Sequence, residues 1–455
     1  MSALHPPATR NRWLLISAVG ATVFMAQFDA TVVIVALPTI QQLFGSSASL
    51  TQWVVLGFVV PMIGLSLPCG RWLDRVGRRE AYLFAVTGFV VASVAVGLAP
   101  TIGWLIGARV LQGAFGALLF SLATVLATVA VLPSARGRAM GVVTTMGSLG
   151  GICGPVLGGL VLEHVDWSWV FYVNAPIGAI IAAVVLRELD TGDRLRLPGP
   201  DWFADATLVS TAGAALMLAL TMAAENDPAW LLISLTAVPF VAVWLRRPDG
   251  RAVAGLLRVR EVLASHVGLL CQTAAVFAVM FVLPFHLHDQ GVEPARMGLM
   301  LLAFPCAAAA TGLLAGLLAD AWSPVAVCVV GGAVLAIGIA LLTPMDPGLV
   351  GMNLAWRLTL VGIGTGMFAG PVVPIAMSRA PESLLGTTAA SISLARQVGV
   401  GLGPALATIV WSAADYTRTG LSAATVVAVL LITVGTLGLL IAAKLPSTDR
   451  IDRVP

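Results

Sequence analysis

The chain has 455 residues, 58% of them hydrophobic and only 10% charged, with a formal net charge of +3. An ordinary soluble domain is about 25% charged, so this composition excludes a water-soluble globular protein. Apolar runs of about 20 residues recur throughout, each able to cross a hydrocarbon core of about 30 Å, and they imply an all-α, multi-pass integral membrane protein with no nucleic-acid partner.

Charged or Pro/Gly-rich breaks divide the chain into fourteen predicted spans. Span one begins near Trp13, is too long for a signal peptide and lacks a cleavage site. It holds Asp29, read as the only carboxylate well inside a span, and an intramembrane acid marks a functional site by default. Span two begins near Thr51 and ends in GRWLDRVGRRE, Gly70 to Glu80, a tight cationic turn that by charge alone is a cytoplasmic anchor. Span three begins near Ala81. Span four begins near Thr101 and carries Arg109 and Gln112. Span one leaves the membrane near Pro38, which places Asp29 about 12–14 Å deep at 1.5 Å per residue. Arg109 lies about 12 Å deep from the same side, so the two can pair.

Span five begins near Met140 and contains GSLGGICGPVLGG, Gly147 to Gly159. Glycine and proline cost a helix about 1 and 3 kcal/mol relative to alanine, so this stretch sacrifices helix propensity for something else. Gly141, Gly150, Gly154 and Gly158 recur near multiples of 3.6 and can form one smooth stripe. Pro155 removes the helix hydrogen bond to Gly151 and permits a bend. Close packing alone also accounts for such a stripe.

Span six begins near Trp169. A polar connector, Arg187–Asp201, leads to spans seven and eight near Phe203 and Trp230. Spans nine to fourteen begin near Ala264, Gly298, Pro324, Leu354, Thr387 and Gly420. His286 and His288, at the end of span nine, read as surface residues. Arg357 and Arg396 lie inside spans twelve and thirteen, the latter beside Gln397. The five cysteines, all within or at the ends of apolar runs, show no metal or disulfide spacing and read as packing residues.

Of the 25 lysines and arginines, Arg296 and Arg418 fall in alternate loops, Arg109, Arg357 and Arg396 fall inside spans, and the other twenty fall at the termini and the remaining loops. That asymmetry puts both termini in the cytoplasm. An internal repeat is also present. Gly137 through Gly154-Pro155 is echoed at identical spacing by Gly386 through Gly403-Pro404, Gly70-x-x-x-Asp74 by Gly316-x-x-x-Asp320, and Arg109 by Arg357. Repeated halves point to a secondary transporter with its site between them. The expected organisation is a six-helix bundle over residues 1–188, a linker and two-helix insert over 189–262, and a second six-helix bundle over 263–455. No phosphate-binding loop or catalytic triad is present, so neither ATP drive nor an enzyme is expected.

The Gly70–Glu80 turn matches G-x-x-x-D-R-x-G-R-R and resembles the loop 2–3 signature of the major facilitator superfamily. FDATVVIVALP (Phe28–Pro38), WLIGARVLQGAFG (Trp104–Gly116) and WSWVFYVNAPIG (Trp167–Gly178) resemble motifs of its fourteen-span drug/proton antiporter family, with departures at Ile34 and Ser168. The spacing from Gly141 through Gly150, Gly154-Pro155 and Gly158-Gly159 resembles that family's antiporter motif. The resemblance implies the major facilitator fold, two six-helix bundles plus two inserted helices, and a proton-coupled efflux antiporter for lipophilic drugs, dyes, antiseptics or antibiotics. It implies proton coupling by Asp29 and Arg109, and a substrate cavity is assigned to Phe28, Gln112 and Arg396. It implies a sliding gate between the halves at Gly141, Gly150, Gly154, Pro155, Gly158 and Gly159. It also implies a cytoplasmic latch built from Gly70, Asp74, Arg75, Gly77, Arg78 and Arg79. The expected partners are protons, the lipid bilayer and the cargo, with proton motive force in place of a cofactor, no metal, and a monomer in the cytoplasmic (inner) membrane. A dedicated exporter of one metabolite, self-made antibiotic or lipid fits the same residues. A proton-coupled importer is opposed by the Gly-Pro stripe, and a non-transporting sensor by the retention of Asp29 and Arg109.

Overall fold

The computed structural model describes residues 11–444 apart from 74–75, 133–134, 191–197, 226–227, 347 and 382–383. The described residues form helices and no strands. The first six long helices are α1 (Trp13–Phe44), α2 (Trp53–Leu73), α3 (Arg78–Gly97), α4 (Ile102–Val129), α5 (Arg136–His164) and α6 (Asn174–Glu188), the last preceded by one turn at Trp169–Tyr172. Then come α7 (Pro200–Glu225) and, after a 3-10 stretch at Pro228–Thr236, α8 (Ala237–Leu245). A short helix at Pro248–Leu256 turns 98° away from the segment before it. The remaining helices are α9 (Arg260–Asp289), α10 (Pro294–Leu301 continued by Ala303–Ala321), α11 (Pro324–Ala340), α12 (Gly351–Arg379), α13 (Leu385–Ser412) and α14 (Arg418–Lys444).

Among the described residues, twelve helices are long and apolar enough to cross a membrane, or thirteen if the bent segment counts as one span. The 17-residue α11 is shorter and equally apolar, reaching about 25 Å at 1.5 Å per residue. Large apolar side chains such as Val91, Ile180, Ile337 and Val434 face outward, as lipid requires.

The packing repeats itself. In the first six helices α1 packs on α5 and α6, α4 on α2 and α3, and α3 on α6. In the last six α9 packs on α13 and α14, α12 on α10 and α11, and α11 on α14. Small residues permit the close crossings. A Cβ at Gly150 would lie 2.3 Å from the Phe24 carbonyl on α1, and one at Gly403 would lie 2.5 Å from the Ala274 carbonyl on α9. Without a hydrophobic drive between helices in lipid, such backbone approach is what associates them.

The two sixes meet through α5 with the start of α10, and through α2 with α13. The ends of α1, α9 and α13 share one face, called here the loop face. The start of α1 and the ends of α4 and α6 share the other, the termini face, where the Arg12 amide donates to the Ala130 carbonyl and its guanidinium to the Glu188 carbonyl. Polar bridges between the sixes gather at the loop face: Gln42 to His288 at 2.6 Å, Ser49 to Tyr416 at 2.9 Å, and Thr408 Oγ1 donating to Gln52 Oε1 at 3.0 Å. That face is closed. Helix α7 joins the same junction. Gln52 Nε2 donates to Thr221 Oγ1 at 3.1 Å, over an apolar cluster of Leu56, Val60, Met217, Leu220 and Ala405 drawn from α2, α7 and α13.

Candidate functional site

The site begins with a backbone crossing. Gly57 on α2 and Gly113 on α4 let the helices touch: a Cβ at Gly113 would lie 2.1 Å from the Phe58 carbonyl oxygen. At that distance Arg109 Nε donates to the Val54 carbonyl at 2.9 Å, and its guanidinium carbon sits 4.6 Å from the Phe58 ring centroid. Arg109 and Gln112 share a face of α4, three residues apart. Together they meet Asp29 of α1.

Arg109 Nη1 donates to Asp29 Oδ2 at 2.5 Å and to Gln112 Oε1 at 2.6 Å. Gln112 Nε2 donates to Asp29 Oδ1 at 2.9 Å and to Ser93 Oγ of α3 at 2.7 Å. Asn174, the first residue of α6, donates through Nδ2 to Asp29 Oδ1 at 3.1 Å and to Ser93 Oγ at 3.1 Å. Asp29, Gln112, Asn174 and Ser93 are 0% exposed and Arg109 is 1% exposed, with the Phe171 ring 5.8 Å from the guanidinium. A buried carboxylate survives as an ion only when paired and hydrogen-bonded, and this one receives a guanidinium and two amides. The Asp29 carboxylate charge is what pairs with Arg109 inside the cage.

The structure brings Asp29 and Arg109 into direct contact, as the pairing expectation requires. Other expectations are corrected. Gln112 belongs to the carboxylate cage and is fully buried, and Phe28 is 2% exposed and stacked on Phe24 at 6.1 Å, so neither lines an open cavity here. Arg396 is different: it is exposed although it lies deep within the fold. Gly399 faces Leu270 on α9, while Gln397 reaches Met62 on α2. At 100° per residue Arg396 falls on the arc between these contacts with α9 and α2.

The glycine stripe also turns a different way. Cβ atoms at Gly150, Gly154 and Gly158 would strike Phe24, Thr31 and Val32 of α1, in the same six helices. A stripe one residue wide can face one neighbour, and α1 takes it. Contact with the other six comes from the adjacent arc, through Pro155 and Gly159 of the same expected set. A Cβ at Gly159 would meet the Pro294 carbonyl at 2.4 Å, and one at Gly298 would meet the Pro155 carbonyl at 2.1 Å.

Asp74 and Arg75 lie outside the described residues, as do the surroundings of Gly70 and Gly141. Gly77 caps α3, and Arg78 and Arg79 open it, half-buried. His286 is 2% exposed, not a surface residue, and His288 bridges to Gln42. Asp205 is a second buried carboxylate, in α7, paired with Arg247 Nε at 2.5 Å. The Gly316 and Asp320 side chains lie outside the described ones. Among the described residues no cluster could hold a metal ion, and Cys69, Cys271 and Cys328 are buried thiols.

The sequence profile of the Major Facilitator Superfamily matches residues 19–404, and again residues 265–450. The chain is 32% identical over 428 residues to puromycin resistance protein pur8 of Streptomyces alboniger, covering 89% of this chain and 82% of that one. It is 30% identical to drug efflux pump JefA of Mycobacterium tuberculosis (88% and 81% covered). It is 28% identical to the tetracenomycin C resistance and export protein of Streptomyces glaucescens (88% and 77% covered). Among solved structures, a bacterial homolog of the human lysosomal transporter Spinster superposes with a TM-score of 0.70 at 16% identity, covering 95% of this chain and 97% of that one.

Proposed function

From a chain that belongs to the major facilitator superfamily, and whose relatives are drug efflux pumps and antibiotic resistance or export proteins, we infer an efflux transporter driven by protons. The cargo class is lipophilic small molecules, taken from the relatives' names and from the apolar character of the bundle. We count the bent segment and α11 as spans, which makes fourteen. The arginine distribution sets the termini face in the cytoplasm and the loop face outside. In that orientation the closed loop face is a shut outer gate, and Arg396 looks into a gap for cargo arriving from the cytoplasm or inner leaflet. The monomer in the cytoplasmic membrane is the simplest working unit, needing no cofactor beyond the proton gradient.

The observation that carries proton coupling is the cage itself: one carboxylate at zero exposure, held by one guanidinium and two amides. A buried carboxylate stays ionised only while its cation partner is present, so separating the pair loads a proton and restoring it releases one. Each charge moved through the field is worth about 2.3 kcal/mol per 100 mV, enough to drive export uphill. Because two relatives carry the name of one antibiotic each, a dedicated exporter of a single compound is the second reading.

The test is a resistance and dye-efflux panel in a pump-deleted host, with Asp29→Asn and Arg109→Ala as controls. Protection against several unrelated lipophilic compounds, lost in both variants at equal membrane abundance, supports a broad antiporter. Protection against a single compound favours the dedicated exporter. Full efflux by Asp29→Asn would remove Asp29 from the mechanism.

A further inference from the structure

The cage around Asp29 leaves one atom without a partner. Asn174 Oδ1 is buried, makes no hydrogen bond, and belongs to a side chain at 0% exposure whose Nδ2 donates to the carboxylate. A buried carbonyl oxygen with no donor is costly and rare, and its position beside a titrating group calls for a reason. The reason lies in the other protonation state.

As an ion, Asp29 needs only donors, and Arg109, Gln112 and Asn174 supply them. As an acid, it carries its own O–H, which needs an acceptor and instead faces amide N–H groups at Oδ1. Gln112 cannot supply one, because its Oε1 already accepts from Arg109 Nη1 at 2.6 Å. The Ser93 hydroxyl oxygen already receives an N–H from each amide. Asn174 is the amide in the cage whose carbonyl oxygen is free. A half-turn about its terminal torsion, which is broad and roughly two-fold, puts Oδ1 where Nδ2 now stands, 3.1 Å from Asp29 Oδ1 and 3.1 Å from Ser93 Oγ. The acid O–H and the Ser93 O–H then both donate to Oδ1.

We propose that Asn174 is a coupling residue: its side-chain amide inverts when Asp29 takes a proton, donating to the carboxylate and accepting from the acid. The inversion gives Asp29 a matching partner in both states, leaving one end of the amide unbonded in each, and it ties the proton to α3 through Ser93 and to the first turn of α6. Arg109 is the charged group bonded to Asp29, and the other bonded groups are Gln112, Asn174 and, through them, Ser93. The proposal rests on proton coupling at Asp29, and the experiment separates the two.

The chain contains four asparagines, Asn11, Asn174, Asn226 and Asn353, so asparagine labelled with carbon-13 at the side-chain carbonyl reports on few sites. Infrared difference spectra of the purified, reconstituted protein are recorded between high and low pH. The label identifies the asparagine carbonyl band, Asn174→Leu assigns it, and Asp29→Asn assigns the carboxyl band. The expected result is a carboxyl band that titrates together with a fall in the Asn174 carbonyl frequency, because that oxygen gains hydrogen bonds. A titrating carboxyl with an unmoved Asn174 carbonyl overturns the inversion and leaves the coupling standing. No titrating carboxyl in the unsubstituted protein sinks both. If the leucine variant folds poorly, replacing the other three, Asn11, Asn226 and Asn353, leaves the labelled band to Asn174 alone. Where it folds, Asn174→Leu should lower gradient-driven efflux about tenfold or more. It should move the carboxyl titration by less than about one pH unit, because both protonation states lose a partner; a donor-only role requires a rise of about one unit or more.

Discussion

Replacing Gly298 by alanine should open the outer gate. The added Cβ would stand 2.1 Å from the Pro155 carbonyl oxygen and 2.9 Å from its carbon, across the contact between α5 and α10. Ordinary carbon contacts begin near 3.5 Å, so the two backbones must part by about 1 Å there. Overpacking of this kind costs about 1–3 kcal/mol. The cost falls only on the conformation in which the loop face is closed, so the balance should shift about 5- to 150-fold toward the open one. Ala48 lines a cavity of about 460 Å³ at that face, between the two sixes, and is buried. An Ala48→Cys probe in a background without the five native cysteines should therefore react faster with a membrane-impermeant maleimide when Gly298→Ala is added. Gly154→Ala is the control: its Cβ would press on Thr31 Oγ1 at 2.0 Å, within one six-helix group, and should lower thermal stability without changing the labelling rate. Equal labelling with and without Gly298→Ala, in protein of normal abundance, would refute the assignment of this contact to the gate.

Other outcomes follow from the same geometry. Arg109→Lys should lose coupled efflux nearly as fully as Arg109→Ala, because a lysine cannot at once reach the Val54 carbonyl, Asp29 and Gln112, and an efflux assay beside a thermal melt checks this. Thr221→Val should weaken the tie between α7 and Gln52 by about 0.5–1.5 kcal/mol, read as faster outer-face labelling in the Ala48→Cys assay with transport retained. Arg396→Glu should shift the compounds resisted toward cations while leaving the melting temperature within a few degrees, since Arg396 is exposed and no ion pair holds it among the described residues.

Much of this architecture was legible in the sequence because lipid imposes a length on every span. Each apolar run corresponds to a helical segment, and the matched Gly-Pro pairs at Gly154-Pro155 and Gly403-Pro404 pack in the same way on α1 and α9. Counting rise per residue from the ends of two helices was enough to put Asp29 and Arg109 at one depth. Periodicity shows which glycines share an arc of α5, but not which helix that arc will meet, and so the stripe was expected at the gate when it lies against α1. Ser93 sits in an apolar run as one hydroxyl among many small residues, and the Val54 carbonyl carries no side-chain signal at all. Asn174 stood in a recognised motif without a role, because an amide's use depends on which of its two ends lacks a partner.

Coupled export requires cargo and protons to move in exchange. Inside-out membrane vesicles with the transporter, loaded by a lipophilic dye substrate and energised by a pH gradient, measure this directly. Cargo accumulation should stop when the pH gradient and the voltage are both collapsed, and adding cargo should speed the decay of an imposed pH gradient in the native chain but not in Asp29→Asn. Accumulation that continues undiminished with both gradients gone would contradict it.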